Sequence, residues 1–194
     1  VTLAYPEAGE TVGSLVYKFT NAGQIRVSFK VEPKGKGLES LPRIGMTAQI
    51  PLGYDRVTWL GRGPHENYAD RKASAFFGKY MLSASEFYFP YVEPQETGNR
   101  TETFWVTFTD SAGKGIKVTG DPKINFSILP YMMGELETRK HPWELNPCGN
   151  WTINVDYGQM GLAGEDSWGA RPWPEYQLLP GREYSYGFVL EPVK

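Results

Sequence analysis

From residue 17 to residue 31 apolar and polar side chains alternate, with one short interruption, and this period of two constrains the fold more than any other feature. Tyr17-Lys18-Phe19-Thr20 alternates, and so does Ile25-Arg26-Val27-Ser28-Phe29-Lys30-Val31. Asn21-Ala22-Gly23 between them supplies residues that accept the left-handed backbone of a tight turn. Successive side chains of a strand point to opposite faces, so the pattern predicts an antiparallel hairpin with one buried and one wet face. The period recurs at 43–50, 56–60, 101–108, 116–118, 124–128, 151–157 and 184–190, with turn signals such as Pro51-Leu52-Gly53 and the stretch 110–115 between runs.

One stretch breaks the rhythm. Residues 132–140 carry Glu135 and Glu137 early and Arg139 and Lys140 late, the order that complements a helix dipole, with Pro130 before it and Pro142 to stop it. It predicts one short helix in an otherwise all-β chain. With 12 Tyr, 10 Phe, 6 Trp, 22 Gly and 15 Pro in 194 residues, the composition agrees: strand formers joined by many turns, too aromatic for a disordered chain. The length suits a single domain over residues 1–194, and neither a repeat nor a linker divides it. Residues 61–100 read as a long irregular segment rich in aromatics, the kind of loop that is functional or packed by its own side chains.

Several function classes lose support. A formal net charge of −2 without a dense Lys/Arg run lacks the electrostatic footprint of a nucleic-acid binder, and the basic stretch Lys34-Gly35-Lys36-Gly37 reads as a solvated loop. No apolar run is long enough to span a bilayer, and no secretory signal opens the chain. Cys148 is the only cysteine, which excludes an intrachain disulfide and a thiolate metal cluster. His65 and His141 lie far apart, outside any ligand-spacing motif, so no metal site is expected.

Three clusters could carry chemistry. In the first, residues 61–71, His65 beside Glu66 invites an acid–base reading. A folded loop whose Arg and Asp side chains satisfy backbone groups is preferred, because ion-pair networks mimic active sites. In the second, residues 90–100, Glu93 and Glu96 do not establish the fixed carboxylate separation of a glycosidase, and a rigid loop anchored by Glu96 and Arg100 is again preferred. The third, residues 161–169, places Trp168 beside Glu165 and Asp166 in a glycine-rich turn. A flat indole can cover the C–H face of a sugar while carboxylates accept its hydroxyl hydrogen bonds; equally, Trp168 could be a core side chain beside a turn. The residues alone leave these two readings level. Trp173, between two prolines, could be a second platform, and packing is the preferred reading.

Taken in order, these clusters together with Leu41-Pro42-Arg43-Ile44-Gly45-Met46 and the opening hairpin resemble the C-terminal, small-chain domain of the large β-galactosidases of glycoside hydrolase family 2. The resemblance covers nearly the whole chain from about Tyr17 onward. It implies an antiparallel supersandwich similar to that of galactose mutarotases, shortened at its N-terminus and therefore left with exposed strand edges or bare apolar faces.

It also implies a division of labour. In the family both catalytic glutamates, and most of the magnesium and sodium sites, lie in an α/β barrel, and this chain has no barrel pattern. The expectation is a non-catalytic domain with no cofactor of its own. It would pack on its own catalytic barrel and complete the mouth of a site for terminal β-D-galactosides such as lactose. Trp168 would lie against the sugar, with Glu165 and Asp166 as substrate-binding neighbours. Exposed edges make a homo-oligomer a further expectation, and a bacterial cytoplasm or periplasm the setting. Two alternatives stand beside it: a free-standing carbohydrate-binding module, and a mutarotase-like epimerase using His65 with Glu96 or Glu165.

Overall fold

The computed structural model describes residues 1–9, 11–35, 37 and 39–194. Among these, ten antiparallel strands form the chain: β1 (Thr2–Tyr5), β2 (Thr11–Phe19), β3 (Ile25–Glu32), β4 (Arg43–Pro51), β5 (Arg56–Gly63), β6 (Phe76–Ser83), β7 (Arg100–Thr109), β8 (Gly115–Leu129), β9 (Asn150–Gln159) and β10 (Tyr184–Val193). A single α-helix, α1 (Met133–Thr138), follows β8. The all-β class with one short helix is therefore what the period of two and the one dipole-ordered stretch predicted.

The hydrogen-bonded order is β1-β2-β3-β10-β8-β7-β5-β6, and β9, carrying β4 on its far side, branches from β8. β8 makes the branch possible. Its first half pairs with β10 as far as Asp121, and its second half pairs with β9 from Asn125 onward. Between them Pro122 has no N–H to offer a ladder. A Cβ at Gly120 would lie 2.7 Å from the Lys123 backbone, so only glycine allows the chain to fold this closely on itself.

The two halves enclose a shared core. Val27 and Phe29 of β3 and Tyr186 and Phe188 of β10 belong to the same buried cluster as Ile44, Ile50, Trp151, Ile153 and Val155 of β4 and β9. The Tyr186 hydroxyl donates to the Val155 carbonyl at 2.9 Å, linking β10 to β9 directly. Trp59, wholly buried, holds Tyr80, Phe87 and Phe126 around its ring, with centroids 5.3–5.9 Å away.

Several local expectations change. The alternation at 17–20 predicted a buried face, yet Tyr17 and Phe19 are exposed and the burial lies at Thr11, Gly13 and Leu15. Val1 and β1 cover β2 only as far as Leu15, so the rest of β2 is an open edge among the described residues. Residues 61–100 are not irregular throughout, because they contain the edge strand β6. The helix is shorter than 132–140: Glu144 accepts the N–H groups of Lys140 and His141 and draws them into the next turn. In the basic loop Lys34 is exposed and Gly35 is buried, while Lys36 lies outside the described residues. Phe76, Phe77 and Met81 of β6 and the neighbouring Phe104 are exposed, apolar side chains of the kind expected on bare faces.

Candidate functional site

The first two clusters meet in one buried polar knot. Glu66 accepts the Tyr91 hydroxyl, the Thr97 hydroxyl at 3.0 Å and the Gly98 N–H at 2.7 Å. Asn67, with no exposed surface, accepts the N–H and hydroxyl of Thr101 through Oδ1 and donates to the His65 carbonyl through Nδ2. Asn99 closes the ring, its Nδ2 donating to the Asn67 carbonyl at 2.8 Å while its own carbonyl accepts the Asn67 N–H. Gly98 has φ +80, and its Cβ would lie 2.5 Å from the Phe87 carbonyl oxygen, so a side chain there would break the knot.

Arg43 supplies the ion pairs beside the knot. Arg43 lies between two carboxylates, paired with Glu96 and with Asp156, whose Oδ2 is 3.3 Å from Nε. Gln159 donates to Glu96 and to Asn99, both at 3.1 Å. Burial pushes both acids above the usual carboxylate range, against the pull of Arg43, and Asp156 reaches about 8 with the Glu96 charge adding to the rise. Arg43 offers one positive charge to two carboxyls, and Asp156, at about 8, is the one that keeps its proton at neutral pH. Arg100 stacks over Phe87 at 4.5 Å and Trp59 at 5.4 Å and donates to the Gly98 and Asn99 carbonyls. Burial lowers its guanidinium to about 10 although Glu66 opposes this.

The structure therefore uses the first two clusters as scaffold, as the preferred readings expected. Glu96 is committed to Arg43 and Gln159, whereas His65 is exposed and shares a 3.0 Å hydrogen bond with Ser74. These two are not assembled into an acid–base pair. Glu93 is exposed.

The end of the first cluster does something else. Asp70 Oδ2 accepts the Ala163 N–H at 2.8 Å, and Arg71 donates to the Ala163 carbonyl at 2.7 Å. Both backbone groups of one residue are thus held by the same segment. Gly161 donates to the Tyr176 carbonyl at 2.7 Å, and a Cβ there would strike Asp70 at 2.5 Å. Ala163 and Gly164 both have positive φ, 57° and 92°, which turns the chain outward. Beyond that stem Asp166 Oδ1 accepts the N–H groups of Trp168 and Ala170, at 2.8 and 3.1 Å, and folds the tip. Trp168 is 91% exposed, with Glu165 exposed beside it. Trp168 is accordingly no core residue. Trp173 is 60% exposed, so the packing reading for it is wrong. The clamp from Asp70 and Arg71 was missed because nothing in local spacing signals a contact across more than ninety residues.

Among the described residues no group of three or more His, Cys, Asp or Glu side chains is placed to hold a metal ion. No described helix is long and apolar enough to cross a membrane.

The chain is an all-β fold whose buried charges serve its own loops and whose exposed Trp168 ring sits on a clamped stem. Residues 1–190 match the family described as beta galactosidase small chain, and the chain belongs to that family. It is 37% identical over 179 residues to a beta-galactosidase of Priestia megaterium, covering 92% of this chain and 17% of the relative. It is 34% identical over 171 residues to one of Halalkalibacterium halodurans, covering 88% and 17%. The chain thus spans about a sixth of the length of these relatives. A galactose mutarotase related enzyme from Lactobacillus acidophilus aligns over all of this chain and 66% of its own, at 12% identity and a TM-score of 0.44.

Proposed function

We propose that this chain is the non-catalytic β-sandwich domain of a β-galactosidase acting on terminal β-D-galactosides such as lactose. It packs on the catalytic barrel of the parent enzyme, and the Trp168 loop completes the mouth of the site. Trp168 covers an apolar sugar face, with Glu165 and the free oxygen of Asp166 as acceptors for hydroxyls. The carboxylates that break the bond, and the family's magnesium and sodium, belong to the barrel. The domain contributes positioning and water exclusion.

The observation that carries this reading is the contrast at the third cluster: Trp168 is exposed, yet its stem is clamped at both backbone groups of Ala163. An apolar ring held out in water by a fixed stem has a use only where something covers it. Family membership supports the substrate class, and the small share of the relatives spanned leaves room for the barrel.

Two measurements test the proposal. The chain alone should give no turnover of a nitrophenyl β-galactoside; activity that co-purifies with it through several steps would sink the idea. In the parent enzyme Trp168→Ala should lower kcat/KM by roughly five- to tenfold, the value of about 1–1.5 kcal/mol for a stacked ring. An unchanged kcat/KM would remove Trp168 from the site.

A further inference from the structure

A cleft of about 380 Å³ opens at the foot of the Trp168 loop, where β8, β9 and β10 meet the stretch 175–178. Ala69 reaches its rim and Tyr176, whose carbonyl holds Gly161, forms part of its wall, so the cleft is continuous with the stem of the loop. We propose that this cleft is a second saccharide-binding site, one that takes an uncharged hexose ring without any help from Trp168.

The chemistry of the walls selects the ligand class. Tyr157, 42% exposed, is fixed edge-on against Tyr184 and Tyr186, with centroids 5.4 and 6.4 Å away, and leaves ring surface facing the cleft. Tyr176 lines the cleft as well. Phenol faces of this kind suit the C–H surface of a pyranose. The amides are half-committed in complementary ways. Asn125 Oδ1 accepts the Glu102 N–H at 3.3 Å, which leaves Nδ2 as a donor. Gln177 Nε2 donates to the Pro172 carbonyl at 2.6 Å, which leaves Oε1 as an acceptor. A vicinal diol, each hydroxyl both donor and acceptor, matches such a pair.

Charged ligands fit less well. Lys123 is engaged by Glu102 at 3.2 Å and Asp121 by Arg26 at 3.0 Å, so neither charge is free to hold a phosphate or an ammonium group. Glu175, exposed at the rim, is an acceptor for hydroxyls and repels anions. The cleft also has a built-in means of closing it. A Cβ at Gly158 would meet nothing nearer than Asn125 Nδ2 at 3.7 Å, so a side chain there enters the cleft without striking the core.

The test is a titration of the 194-residue chain with galactose, and separately with lactose, followed by amide and side-chain NH shifts. Saturable shifts at Tyr157, Gly158 and Gln177, with half-saturation in the millimolar range, are expected. Gly158→Leu should weaken them at least tenfold, and Tyr157→Ala, which keeps the backbone unobstructed, should do the same should the leucine variant fail to fold. Trp168→Ala should leave them unchanged, and this separates the cleft from the loop: that variant tests the proposed function in the parent enzyme, and the cleft variants test this site. Absence of saturable shifts at 100 mM sugar overturns the proposal. So do shifts that survive both cleft variants, or that move only the Trp168 indole.

Discussion

Residues 91–100 and 161–169 are alike in sequence, each mixing glycine, carboxylates and an aromatic ring, yet the structure treats them in opposite ways. The first is drawn inward. Thr97, Gly98, Asn99 and Arg100 are buried, Glu96 nearly so, and their polar groups answer Glu66, Asn67, Gln159 and Arg43. The second is held outward: beyond Gly161 nothing in it is buried, and its carboxylates face water or their own turn. The difference lies in what partners reach each stretch. A carboxylate met by a guanidinium and an amide, as Glu96 is, can be buried; one met only by its own loop stays in water. Residues 65–71 join the two, since Glu66 and Asn67 tie down the inner stretch while Asp70 and Arg71 fasten the stem of the outer one.

The inner region should be broken most severely by Asn67→Ala. That change leaves the Thr101 N–H and hydroxyl and the His65 carbonyl without their partner in a dry site. At roughly 1–3 kcal/mol for each stranded group, and with partial relaxation, we expect a loss of about 3–5 kcal/mol. Urea unfolding would measure it, and a loss below 1 kcal/mol would mean the knot is wetter than described.

Next in size is a pH effect confined to the same region. The Asp156 carboxyl is raised to about 8 in the folded chain and is ordinary, near 4, when unfolded. Between those values the unfolded chain has released a proton that the folded chain still holds. It binds fewer protons, so stability falls as pH rises through the window and the loss is complete only above about pH 8. Asp156→Asn removes this group's share. The variant should match wild type only below about pH 4, where both states keep the proton, and melt above it by at least about 3 °C at pH 9, the shift expected for about 1 kcal/mol in a chain of this size. A parallel pair of Tm-versus-pH curves would contradict the assignment.

The strands were legible in the sequence wherever one face is buried, because burial on one side imposes the period of two. β3, β4, β7 and β9 were located to within two residues of their ends by the alternation of their side chains, although burial follows that period cleanly only in β3, and β9 is buried on both faces. β6 was not, because Phe76-Phe77-Gly78-Lys79-Tyr80-Met81 lies at a sheet edge with apolar side chains on its outer face as well, so no contrast between faces is written into it. The same logic divides the candidate residues. That Glu96 and Arg100 serve the fold could be read from a proline-bounded loop with charges of both signs. That Arg43 also meets Asp156, or that Asp70 reaches Ala163, depends on ladders between distant strands and has no local signature. The exposure of Trp168 was undecided by spacing, since an indole beside a turn packs inward or outward according to what the rest of the chain places above it.

The stem of the outer region gives a smaller, local effect. Asp70→Ala leaves the Ala163 N–H without its acceptor, while the Arg71 contact to the carbonyl remains. We expect about 1 kcal/mol or less in global stability. Amide exchange should rise distinctly across residues 163–170 and stay unchanged at Asn67 and Asn99. Protection lost equally in both regions would show that stem and knot unfold as one unit, and the contrast between them would then be one of exposure alone.

The smallest effect on the fold is expected from the largest side chain changed. Trp168→Ala deletes an indole that is 91% exposed, and the loop tip is folded by Asp166 accepting two backbone N–H groups, which the substitution leaves in place. Little apolar area leaves water when this chain folds around Trp168, so the change should lie within about 0.5 kcal/mol of wild type. A core tryptophan such as Trp59 would cost about 3–5 kcal/mol on the same substitution, so the two variants side by side measure how far outward the third cluster is held. A loss above 2 kcal/mol for Trp168→Ala would mean that the ring spends its time folded against the domain, and an indole in that position could not reach a sugar held by another domain.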